Sequence, residues 1–61
     1  MKILTGNKFI EVDYNLDSFL MKLRLLYFDV INITHSLSND YIYILVSYGG
    51  IYIVYVIWVD N

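Results

Sequence analysis

Sixty-one residues make one domain at most, and a chain this short buries only about 60% of the surface its unfolded form exposes, so its own core is marginal. The absence of cysteine excludes disulfides and thiolate metal sites, and one histidine falls short of the about four ligands that zinc takes. Four Lys/Arg against six Asp/Glu, a net charge of −2, exclude both the basic clusters with which nucleic-acid binders neutralise phosphate and the dense carboxylates of a DNA mimic.

What remains to supply stability is a bilayer, a protein partner or a second copy of the chain. The composition is 59% hydrophobic and 18% aromatic, which argues against disorder. The opening residues, MKILTGNKF, contain no apolar h-region and no small-residue cleavage site, so they are not a secretory signal. A cytoplasmic location is therefore expected, and the match of Asn32-Ile33-Thr34 to the glycosylation pattern is read as chance.

Two short apolar runs, Ile3-Leu4 and Phe9 to Val12, flank Gly6-Asn7. Glycine first in a two-residue loop suits a type II′ hairpin, because glycine takes positive φ without penalty. That loop predicts Thr5 facing Lys8, Leu4 facing Phe9, Ile3 facing Ile10 and Lys2 facing Glu11. A polar stretch, DYNLD, follows, and Asp17 or Ser18 is placed to cap a helix that begins at Phe19. Leu, Met, Lys and Arg dominate that segment and favour helix. On a helical wheel Phe19, Leu20, Leu23, Leu26, Tyr27 and Val30 share one face, with Lys22 and Asp29 roughly opposite. The β-branched stretch Asp29 to Thr34 reads as a strand, and HSLSND as a loop.

From Tyr41 to Val59 the chain holds nineteen uncharged residues, which is long enough for a transmembrane helix. Three features point instead to a β-hairpin. Nine of the nineteen are β-branched and five are tyrosine, types that favour strands and would carry hydroxyls to the bilayer centre. Gly49-Gly50 stands at the middle with a strand-length run on each side. Residue size alternates with period two through Ile-Tyr-Ile-Val-Tyr-Val. The fold expected is a single α+β domain over residues 1–61, ordered ββαβββ, with one amphipathic helix on one face of an antiparallel sheet and a C-terminal hairpin turning at Gly49-Gly50.

A two-residue turn sets Tyr48 against Ile51, Val46 against Ile53, Ile44 against Tyr55 and Ile42 against Ile57 on one face. The other face takes Ser47 with Tyr52, Leu45 with Val54, Tyr43 with Val56, and Tyr41 with Trp58. Both faces are apolar, whereas an antiparallel sheet with one wet face alternates apolar and polar. One helix covers one face only, and an uncovered patch of that size exceeds what soluble monomers show. Tyr41, Tyr43, Leu45, Tyr52, Val54, Val56 and Trp58 are therefore the expected interface, with a second copy or with a protein partner.

Other candidate chemistry is sparse. His35 lies near Ser36 and Ser38, but no orienting third group or nucleophile-elbow glycines accompany them, so a loop histidine is expected. Glu11, Asp13 and Asp17 form a carboxylate cluster that could meet a basic partner, although acids around a turn and a helix N-terminus are ordinary. No catalytic motif, cofactor site or metal site is found. The expected activity is non-enzymatic protein binding, as a homodimer without nucleic acid, in the manner of a small phage or mobile-element inhibitor (anti-defence type) or adaptor. The alternative is a small single-span membrane protein with residues 41–59 in the bilayer.

Overall fold

Gly49 and Gly50 both adopt positive φ, 56° and 82°, the paired left-handed conformations of a type I′ hairpin turn. The computed structural model, which describes residues 1–58, builds its longest strands on either side of that turn: β4 (Tyr41–Tyr48) and β5 (Ile51–Trp58). They pair antiparallel from Tyr48 opposite Ile51 to Tyr41 opposite Trp58, the register that a two-residue loop dictates. Residues 41–58 are thus a hairpin, and among the described residues no helix is long and apolar enough to cross a membrane. Val59, the last residue of the uncharged run, lies outside the described residues.

The N-terminal hairpin also follows its predicted register. β1 (Lys2–Thr5) pairs with β2 (Lys8–Glu11), Thr5 opposite Lys8 and Lys2 opposite Glu11. Its turn has positive φ at Gly6, 64°, and not at Asn7, the type II′ pattern. β1 then docks on β5, with Lys2 opposite Trp58 and Ile3 opposite Ile57. On the other side of the C-terminal hairpin β3 (Asp29–His35) pairs with β4, with a bulge between Val30 and Asn32. The result is one five-stranded antiparallel sheet in the order β2-β1-β5-β4-β3.

The helix, α1 (Leu16–Leu25), starts earlier than predicted. Its cap is Asn15, not Asp17 or Ser18. Asn15 is extended (φ −93°, ψ 177°), and its side-chain oxygen accepts the Ser18 N–H at 2.9 Å, satisfying one of the four amides that the first turn leaves without a helical partner. Asp17 falls inside the first turn, where its charge suits the helix dipole. Phe19, Leu20 and Leu23 are buried against Ile3, Ile42, Ile44, Val46 and Ile57. Phe19 stands between two tyrosines, stacked on Tyr14 and edge-on to Tyr55 with ring centroids 6.2 Å and 5.2 Å away.

The predicted wheel face ran too far. Leu26 and Tyr27 are exposed because the helix stops before them, and Val30 belongs to β3, half-buried against the core. The stop is a Schellman motif: the Tyr27 N–H donates to Arg24 O and the Phe28 N–H to Leu23 O, each at 3.0 Å. Glycine is the usual occupant of the left-handed position in that motif, but here it is Tyr27, at φ 67° and 87% exposed. A bulky side chain in that conformation costs about 1–2 kcal/mol, offset in a glycine variant by the roughly 0.5–1 kcal/mol of extra chain entropy that glycine loses on folding. Tyr27→Gly should therefore raise the free energy of unfolding by about 0.5–1 kcal/mol, read from the urea midpoint. A destabilised variant would mean that the Tyr27 ring makes a contact beyond its own chain's fold.

Candidate protein-binding face

Directly opposed residues of an antiparallel pair share a face of the sheet, so the registers above sort the side chains. One face carries Ile42, Ile44 and Val46 of β4 beside Ile57, Tyr55 and Ile53 of β5, and α1 lies on it. Ile44 and Val46 there are 0% exposed. The other face carries Tyr41, Tyr43, Leu45 and Ser47 beside Trp58, Val56, Val54 and Tyr52. No described element packs over it. All seven predicted interface residues are on this open face.

They are not equally available. Trp58 and Tyr41 belong to an aromatic corner that the chain builds for itself. Phe9 stacks on Tyr41 at 5.8 Å and meets Trp58 edge-on at 5.7 Å, with Tyr41 and Trp58 6.4 Å apart. The Lys2 ammonium caps the cluster, 4.3 Å from the Trp58 ring centroid, a cation–π arrangement. Both rings are consequently half-buried. Leu45 and Val56, in the middle of the sheet, are half-buried by their neighbours. The open part is Tyr43, Val54 and Tyr52, at 39%, 57% and 70% exposure.

Sequence reasoning missed Phe9 as a member of this face. The β1–β2 register placed Phe9 beside Leu4, but only the docking of β1 on β5 brings that face alongside Trp58. Polar residues border the apolar centre along β3, which contributes Asp29, Asn32 and Thr34 opposite Ser47, Leu45 and Tyr43, and Asn32 Nδ2 donates to Thr34 Oγ1 at 3.1 Å. On the other side β1 pairs with β5 only at Trp58 and Ile57, so Lys2 and Glu11 flank the aromatic corner.

The three predicted acids lie on β2, in the turn after it and in the first turn of α1. Glu11 accepts from the N-terminal ammonium of Met1 at 3.3 Å. Glu11 and Asp13 line an open cleft of about 630 Å³, with Tyr14, Ile42, Ile57 and Trp58 among its other walls. Asp17 is not among the residues lining it. Among the described residues no group of three or more His, Asp or Glu could hold a metal ion.

Ser36 and Ser38 are engaged with each other and with the backbone. Their hydroxyl oxygens are 3.2 Å apart, and Ser36 Oγ accepts the Tyr41 N–H at 3.2 Å, so Ser36 closes the loop into β4. His35, at the end of β3, is exposed. Comparison with protein-family models, with curated proteins and with solved structures finds no match.

The two faces should respond differently to truncation. Ile44→Ala empties a fully buried position and should cost about 2–5 kcal/mol, whereas Val54→Ala removes little that the single chain buries and should cost under about 1 kcal/mol in dilute solution. Urea unfolding at low protein concentration measures both. Equal losses would mean that α1 does not define the buried side.

Proposed function

We propose that this protein is a non-enzymatic binding module that functions as a homodimer through the open face of its sheet. The observation that carries this reading is the exposure of Tyr43, Val54 and Tyr52 on a face bordered by polar side chains along β3. Burying a large apolar side chain is worth about 1.5–3 kcal/mol relative to leaving it in water. A short chain with a marginal core gains from covering that face.

Size is consistent with the proposal. Strands of eight residues at about 3.3 Å per residue are some 26 Å long, and five strands at about 4.8 Å spacing are roughly 19 Å across. The flat footprint is therefore on the order of 500 Å², and its accessible area is larger once side-chain relief is counted. That approaches the about 800 Å² per partner of a standard interface. Aromatic residues at its centre are the types that supply hot spots.

The role we assign to such a module is occupancy of a host protein, as a small inhibitor of the anti-defence type or as an adaptor. Small, acidic, cysteine-free chains rich in Ile, Asn and Tyr are common among phages and mobile elements, and the sequence here has that composition. Light scattering over a concentration series tests the assembly. A dimer is expected at micromolar concentration, and Tyr43→Asp with Val54→Asp should yield a folded monomer. A wild-type chain that stays monomeric through that range would end the proposal.

A further inference from the structure

The two outermost strands of the sheet are built differently. β2 is four residues long with Lys8 and Glu11 at its ends, a short, charged edge of the kind that resists further pairing. β3 is seven residues long and has neither lysine nor proline. Its protection is the bulge between Val30 and Asn32, which leaves residues 32–35 regular.

The direction of the free backbone groups on that regular segment follows from one bond. The Ser36 N–H donates to Tyr41 O at 2.9 Å, and in an antiparallel ladder inward and outward residues alternate. Thr34 and Asn32 therefore turn their N–H and C=O toward β4, and Ile33 and His35 turn theirs away from the sheet. The helix leaves the side chains here uncovered: Ile31 is 50% exposed and Ile33 40%.

We propose that a second copy of the chain adds to this edge, β3 against β3, antiparallel about a two-fold axis at Ile33. Only an outward-facing residue can sit on such an axis as a hydrogen-bonded pair, and Ile33 is one. In that register Ile33 meets the partner's Ile33 on the helix side. Asn32 meets the partner's Thr34 on the open side, a donor and acceptor already matched within one chain at 3.1 Å. No like charges oppose each other, and a two-fold register that is complementary over residues 32–34 selects a second copy over an arbitrary strand. Three regularly paired residues span only about 10 Å, a smaller contact than a standard interface, so this association belongs to higher concentrations than the proposed face dimer. It does not rest on the face reading.

The test is run in a Val54→Arg background, which disables the open face, so failure of either proposal is distinguishable from failure of the other. The chain has no cysteine, so Ile33→Cys introduces a lone thiol at a position whose symmetric copy would be about 5.5 Å away between Cα atoms, within disulfide range. Under oxidised glutathione, Ile33→Cys should form a linked dimer at least about tenfold faster than Leu37→Cys, although Leu37 is the more exposed at 106%. Linkage at Ile33 no faster than at Leu37 would overturn the proposal. Ile33→Pro supplies a second reading, because it removes an N–H that β4 does not use and an edge strand tolerates that loss. It should keep the β-sheet circular dichroism and lose the rise in mass with concentration. A folded Ile33→Pro chain that associates as well as its parent would equally overturn it.

Discussion

The whole structure depends on one hairpin that is apolar on both sides. Ile42, Ile44 and Val46 point one way from β4 and Tyr41, Tyr43 and Leu45 the other, and the partners on β5 repeat the division. A strand pair of that kind cannot rest with one side in water in the usual way, because neither side supplies the polar alternation that water requires. Every other element is placed by that demand. α1 lies on one side through Phe19, Leu20 and Leu23, β1 extends the sheet beyond β5, and β3 extends it beyond β4. Among the described residues there is no second helix to cover the other side.

Its remaining side chains are arranged as a compromise. At one corner Phe9, Tyr41 and Trp58 bury one another and Lys2 covers the indole. Along β3 the open face becomes polar, through Asp29, Asn32 and Thr34. Between the corner and the rim Tyr43, Val54 and Tyr52 stay exposed. Among the described residues no element packs over these three, which is why the open face is proposed as a binding surface and not as a sheet with a tolerable wet side.

Much of this was legible in the sequence because two-residue loops fix registers. Once Gly6-Asn7 and Gly49-Gly50 are recognised as turns, every pairing within the two hairpins follows by counting. What was not legible depends on longer-range choices. The sheet order places β1 beside β5, and no local pattern announces that contact, so the Phe9–Trp58 corner was invisible. The helix start was misplaced because Asn15, Asp17 and Ser18 are all competent caps, and the cap is the residue that is itself extended where the helix begins, Asn15. The helix end was misplaced because apolar spacing continues through Leu26 and Tyr27, while the Schellman bonds from Tyr27 and Phe28 stop the helix without a glycine. The expectation of an open Tyr/Trp face needed only the alternation, but the partial burial of Tyr41 and Trp58 within it needed the tertiary fold.

Hydroxyl-radical footprinting of the tyrosines over a dilution series most directly tests the proposal that a second copy covers the open face. Tyr27, 87% exposed at the end of α1, is an internal standard, since it lies off the open face. The proposed dimer predicts that at micromolar concentration Tyr43 and Tyr52 are modified several-fold more slowly than their exposure in the single chain implies, and that dilution restores their rates while Tyr27 stays constant. Tyr43 and Tyr52 rates that hold a fixed ratio to Tyr27 from nanomolar to high micromolar protein would contradict the claim that a second copy covers this face.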